Sequence, residues 1–374
     1  MKKARLEEVE LLRGIAFLAV VLQHVIAGIF GQPDVANSSI IIGTTLLGIS
    51  RFAVPLFVFI TGVVLFYNYD GKLNYLSFMG KRFKQIILPY LGWTVFYHVW
   101  VSFLSGTAAT TTWNGLLNLV KLALTGKASY HLWFMVMIIP FYFLYPVFRS
   151  LLSRKRKAST NLIVIAVIFT LNLMLIYALR QGVFASDNPR LGFIFDYLDR
   201  NFLFWIFYFM LGGLVGLYYE AWKKFVNKTK YISLVLLAVC LYIIYENIVR
   251  AVATYPDAPY LWSANVTVPL KPLMMATITL LIVLVFAGAM KLVNKPSRLT
   301  NLIGLFGKYS FGTYLMHAFF LRFTSYFAVN VLTMLDVYSQ AVVSFVLCSA
   351  ISLFLTIQLS RIKISVGDMM VGRV

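Results

Sequence analysis

Apolar stretches of about twenty residues recur along the chain, at residues 11–30, 48–67, 86–105, 131–151, 161–179, 202–219, 231–249, 269–290, 302–321 and 340–360. Each is long enough to cross a bilayer as a helix, and none alternates apolar and polar positions as a strand would. Residues 38–47 are apolar too and read as a half-helix leading into the second stretch. The segment 106–130 is polar and then apolar (TAATTTWNGLLNLVKLAL), the pattern of a helix lying along the membrane interface. Gly212 and Gly216 form a GxxxG within the sixth stretch, a helix-packing motif. The pattern predicts an all-α, polytopic transmembrane bundle of ten spans. With no internal repeat, low-complexity tail or appended soluble domain, residues 1–374 read as one membrane domain.

Composition agrees with this pattern. The chain is 60% hydrophobic and 12% charged, about half the charged fraction of an average soluble protein. A formal net charge of +20 would suit nucleic acid, but its distribution explains it otherwise. Loops and termini on the amino-terminal side of the predicted spans hold 21 Lys and Arg residues, and the other side and its helix ends hold nine. The positive-inside rule then puts both termini in the cytoplasm; the chain is expected to be a multi-pass protein of the plasma membrane. The apolar run after MKKARLEE is too long for a signal-peptide core and has no small-residue cleavage site after it, so it reads as a retained first helix. Cys240 and Cys348 both sit in apolar spans and offer neither a disulfide framework nor metal-ligand spacing.

The first span, LLRGIAFLAVVLQHVIAGIF, carries Arg13 and His24. Eleven residues is roughly 20° from a whole number of turns, so both side chains share one helix face, about 16 Å apart along the axis. Ionisable residues inside a span are costly to insert and point to function. Arg13, near the cytoplasmic end, suits a phosphorylated ligand. His24, about 5 Å outward of the span's middle, suits a base that deprotonates a hydroxyl. The other histidines, His98, His131 and His317, also fall in the predicted outer half or at its edge. No GxxxxGK[ST] loop, GxSxG elbow, HExxH pair or cysteine cluster is present. Carboxylates of the kind used by proton-coupled carriers lie only at helix ends, as Glu10, Asp70, Glu220 and Glu246.

The Arg13-x10-His24 signature resembles that of the membrane-bound acyltransferase 3 family. SRFAVPLFVFITG (50–62), KRFKQIILPYLGW (81–93), HLWFM (131–135) and GKYSFGTYLMH (307–317) resemble further family motifs in the same order, with Thr61 where Ser is commoner before Gly62. The resemblance implies a ten-helix integral membrane O-acyltransferase. Such an enzyme moves an acyl group, usually acetyl from cytoplasmic acetyl-CoA, onto a hydroxyl of a cell-surface or exported glycan. It implies His24 as the catalytic residue and Arg13 as its partner and a CoA contact, with no permanently bound cofactor and no metal. By position, Arg82 and Lys84 are candidate phosphate contacts, and Arg51, His131, Tyr314 and His317 are candidates for the acceptor side. Two other readings compete: a transporter that exports a polysaccharide or lipid-linked glycan precursor, and a non-catalytic membrane scaffold.

Overall fold

The computed structural model describes residues 6–69, 71, 73–106, 113–184, 197–362 and 371–372. Among them there are helices and no strand. In chain order they are α1 (Glu7–Ile29), α2 (Asn37–Ser50), α3 (Ala53–Asn68), α4 (Tyr75–Arg82) and, after a π-helical turn Phe83–Ile87, α5 (Leu88–Leu104). Next come α6 (Trp113–Thr125), α7 (Trp133–Phe143), α8 (Tyr145–Leu151), α9 (Ala158–Arg180), α10 (Ile206–Leu217) and α11 (Tyr219–Thr254). Then follow α12 (Pro259–Val266), α13 (Pro272–Asn294), α14 (Arg298–Asn330) and α15 (Val337–Leu359).

Every predicted span falls on helix, and the protein is a polytopic helical bundle. Seven of the described helical segments are long and apolar enough to cross a membrane, or eight if α7 and α8 are one bent span. The segment Phe202–Leu217 is apolar but shorter. The long helix α14 carries Arg298, Lys308 and Arg322, which lower its hydropathy.

Prolines explain where the helices depart from the predicted boundaries. The span expected at 48–67 is interrupted at Arg51–Phe52, and the half-helix before it is the separate helix α2. Pro55 has no N–H for the Arg51 carbonyl, so the ladder stops there. The span expected at 131–151 bends by 61° between α7 and α8, where Pro146 leaves the Tyr142 carbonyl without its helical donor. Pro89 likewise has no N–H for Gln85, and the chain answers with a π turn in which the Leu88 N–H reaches Phe83. Of the proposed interfacial stretch, residues 107–112 lie outside the described residues. The helix α6 spans only 13 residues and leaves Leu116, Leu117, Val120 and Leu124 exposed.

At the centre lies α1, packed against α2, α3, α13, α14 and α15. At the edge, α9 and α11 turn apolar side chains such as Leu162, Leu171, Leu234 and Val235 outward, as lipid-facing helices do. Two crossings reach backbone distance. A Cβ on Gly14 of α1 would collide with the Ile303 carbonyl of α14, and one on Gly307 would collide with the Glu10 carbonyl. Similarly, a Cβ on Gly62 of α3 would meet the Phe209 carbonyl of α10, while one on Gly212 would meet Phe59 and one on Gly216 would meet Val63. The GxxxG of the sixth stretch is thus the seat of α3. Outside the bundle, Asp336 caps α15 by accepting from the N–H groups of Tyr338 and Ser339, 2.8 and 3.2 Å away. The Ser339 hydroxyl and these amides hold its carboxyl below the usual range.

Because both crossings are backbone contacts, side chains cannot relax around an insertion. Gly62→Val should lower stability by about 3 kcal/mol or prevent assembly. Gly80→Ala, where an added Cβ meets nothing, should leave the melting temperature in detergent unchanged or slightly raised.

Candidate functional site

The helices α1 and α14 run side by side in the same direction. Gly14 touches Gly307 near their starts, His24 faces His317 ten residues on, and Gly28 approaches Ser325 beyond that. Polar side chains therefore meet in two layers along one seam, with a cavity at each.

In the layer further along α1 and α14, three of the four histidines come together. The His24 and His317 rings are stacked with centroids 5.5 Å apart. His131, in the turn before α7, sits edge-on to His317 at 4.9 Å, and Tyr130 sits edge-on to His24 at 4.7 Å. His98, half-buried on α5, has no ring contact with these three among the described residues. Carbonyl partners fix two tautomers. Because a carbonyl only accepts, His317 must carry its proton on Nδ1, 2.6 Å from the Tyr314 oxygen. Its Nε2 is then a bare lone pair, buried with no partner among the described residues. Nε2 of His131 lies 3.3 Å from the Leu315 carbonyl and so bears the proton, leaving Nδ1 to accept from the Ser129 hydroxyl at 3.0 Å. Tyr314 donates to the His131 carbonyl, and Tyr97 donates to the Leu315 carbonyl at 2.9 Å. Three imidazoles meet here, yet among the described residues no set of His, Cys, Asp or Glu side chains is arranged to hold a metal ion.

His131 and His317 are closed off, at 2% and 0% exposure. His24 is half-buried and lines a cavity of about 680 Å³ with Tyr97, Trp100, Ser129, Tyr130 and Arg322. Arg51 lies at the break between α2 and α3, within electrostatic reach of His24 and Tyr260. Its Nε is buried without a partner among the described residues. Gln23, beside His24, ties α1 to this break by donating to the Ser50 carbonyl at 2.6 Å.

Arg13 lines a second cavity, of about 300 Å³, with Arg82, Lys308, Gln85, Tyr142 and Tyr314. The Arg82 guanidinium is sandwiched by aromatic rings, 5.2 Å from Phe78 and 5.5 Å from Tyr142, and donates to the Tyr69 hydroxyl at 3.4 Å. Rings hold the cation in place without neutralising it, and its Nε is buried with no partner among the described residues. Three cations around one small cavity suit a polyanion such as a phosphate group. Tyr314 belongs to both layers: it lines this cavity, and its ring contacts His131 at 5.3 Å and His317 at 5.6 Å.

The structure thus gathers Arg13 and Arg82 at one cavity, His24 at the other, and His131, Tyr314 and His317 between them. Lys84 stands apart: it is exposed and lines neither cavity. Sequence reading missed Lys308, Gln85, Tyr142, Gln23 and Tyr130 as site residues. Of these only Lys308, a charge at the edge of an apolar span, left a visible signal.

Residues 6–360 match the family model of the acyltransferase 3 family, described as an "Acyltransferase domain". The chain is 24% identical over 332 residues to the "Putative membrane-bound acyltransferase YfiQ" of Bacillus subtilis (strain 168), covering 85% of this chain and 81% of that protein. It is also 25% identical over 248 residues to the "Probable poly-beta-1,6-N-acetyl-D-glucosamine export protein" of Staphylococcus aureus (strain MRSA252), covering 66% of each chain. The protein of the same name in Staphylococcus epidermidis is 25% identical over 234 residues, 61% of this chain and 60% of that one. No solved structure matches the chain.

Tyr314→Phe keeps the ring contacts and removes one donor, leaving the buried His131 carbonyl with only the long 3.4 Å bond from the Phe134 N–H. It should cost about 1 kcal/mol of stability, read as a lower melting temperature of the purified protein.

Proposed function

The chain belongs to the acyltransferase 3 family, and on that footing we propose that it is an acetyl-CoA-dependent O-acetyltransferase whose acceptor is a hydroxyl of a cell-surface or exported glycan. One observation carries this reading. The single helix α1 presents Arg13 to a small tricationic cavity and His24 to a wider one beyond a layer of histidines. The donor's phosphates would bind Arg13, Arg82 and Lys308 on the face rich in Lys and Arg, taken as cytoplasmic. The acceptor would enter the outer cavity, beside Tyr130, Trp100 and Arg322. Aromatic rings and polar side chains together suit a sugar.

In the reaction His24 takes the proton of the acceptor hydroxyl as its oxygen attacks the thioester carbonyl carbon. The C–S bond breaks, the acetyl group stays on the acceptor oxygen, and the proton passes from the imidazolium to the leaving thiolate. Since the thioester is already activated, one base suffices. His317 and His131, with tautomers set by backbone carbonyls, would hold the His24 ring in position. Arg51, near His24 and without a partner at Nε, would steady the acceptor or the charge that develops on the carbonyl oxygen. Lys84 acts as an ordinary interfacial anchor in this scheme.

A second reading rests on the names of the staphylococcal relatives. It makes the outer cavity part of a polysaccharide export path, independent of any acyl donor.

In nanodiscs with radiolabelled acetyl-CoA, wild type should consume the thioester, and His24→Gln should reduce turnover about 1,000-fold, as expected for loss of the general base, with its melting temperature unchanged. Arg82→Gln should raise the acetyl-CoA KM about tenfold, the loss of about 1.4 kcal/mol of binding, and change kcat little. If wild type neither binds nor consumes acetyl-CoA, the transferase reading fails and the export reading takes its place.

A further inference from the structure

Away from both cavities, α11 and α13 pack side by side and leave an open groove of about 520 Å³ between their ends on the lysine-rich face. Its residues fall on one stripe of each helix. On α11 they are Asn227, Lys230, Tyr231 and Leu234, spaced by three or four residues and so on a common face. On α13 they include Leu284, Gly288 and Lys291, likewise one turn apart, and Lys295 follows directly after the helix. Chemistry changes with depth. Lys230, Lys291, Lys295 and the amides of Asn227 and Asn294 crowd the mouth, whereas Leu234, Leu284, Ala287 and Gly288 lie further in. From Lys291 to Leu284 is seven residues, about 10 Å along the axis.

Among the described residues no carboxylate pairs with Lys230, Lys291 or Lys295. Lys230 lies over the Tyr231 ring, 5.2 Å from its centroid, which leaves its charge available. At Gly288 an added Cβ would touch nothing within 4 Å, so the apolar part of the groove is open and not filled by a neighbouring side chain.

We propose that this groove is a binding site for an anionic glycerophospholipid. Its phosphate sits among Lys230, Lys291 and Lys295, and one acyl chain runs inward along Leu234, Leu284 and Gly288. Charge complementarity selects the anionic headgroup, and the apolar floor requires a chain attached to it. A basic pocket between transmembrane helices at headgroup depth has the form expected of such sites. A free phosphate would use only the mouth. Lysines that merely snorkel to the interface would show no preference for this groove over the other basic loops.

Native mass spectrometry of the purified full-length protein with added phosphatidylglycerol or phosphatidylcholine tests the site. Wild type should retain phosphatidylglycerol in preference to phosphatidylcholine. The triple variant Lys230→Gln, Lys291→Gln, Lys295→Gln should lose that adduct at least tenfold, while Lys155→Gln, Arg156→Gln, Lys157→Gln, which removes equal charge elsewhere, should retain it. Gly288→Phe leaves every charge in place and fills the floor, and it too should lose the adduct. Equal loss in both triple variants would overturn the proposal in favour of non-specific attraction. Phosphatidylglycerol binding unaffected by Gly288→Phe would overturn it in favour of a headgroup-only contact. An adduct that survives the first triple variant would overturn it outright.

Discussion

The contact between Gly14 and Gly307 sets the geometry on which the candidate site depends. Only hydrogen stands in for a side chain at these two positions, so α1 and α14 meet backbone to backbone and run on together. One residue away from that contact stand Arg13 and Lys308, both at the tricationic cavity. Ten residues on stand His24 and His317, stacked on each other. A side chain at either glycine would push the helices apart, and the two polar layers would separate along with them. The same pair of helices lines both cavities, so the spacing between them is a property of helical rise rather than of loop conformation.

Placing polar groups inside a membrane bundle demands partners for nearly all of them. In this protein backbone carbonyls of α14 serve most of that need. Leu315 accepts from Tyr97 and His131, and Tyr314 accepts from His317. Fixed partners on one nitrogen define what the other can do. Among the described residues, His317 is left with a bare Nε2, and Arg51 and Arg82 each keep a buried Nε without a partner. Buried polar atoms without a partner among the described residues also occur on Asn172, Tyr208 and Trp222, which line neither cavity, so it is position along the seam that singles out His317, Arg51 and Arg82 as candidates to meet a ligand.

Much of this was legible in the sequence. Helical class followed from apolar run length. The eleven-residue spacing of Arg13 and His24 put them on one face, and the Gly212–Gly216 pair did mark a close crossing. The breaks after Arg51 and Leu144 were missed because hydropathy averages over a proline, whose effect is the loss of a single backbone donor. Lys84 and Arg82 look alike in KRFKQ, but the π turn that follows Arg82 leaves one exposed and the other among aromatic rings. That distinction depends on Pro89 five residues further on. The meeting of His24 with His131 and His317 joins residues more than a hundred positions apart in sequence, and single-helix periodicity carries no information about it. Arg82 itself draws its rings from α4 and α7, so its burial was equally invisible.

The central claim is that the two cavities are the donor and acceptor ends of one transfer path across the bilayer. Sealed proteoliposomes that hold labelled acetyl-CoA only inside and an acceptor glycan only outside test it most directly. The account predicts label on the outside glycan from intact vesicles containing wild type, and none from vesicles containing His24→Gln. Label that appears only after the vesicles are permeabilised, so that donor and acceptor share one side, would contradict it.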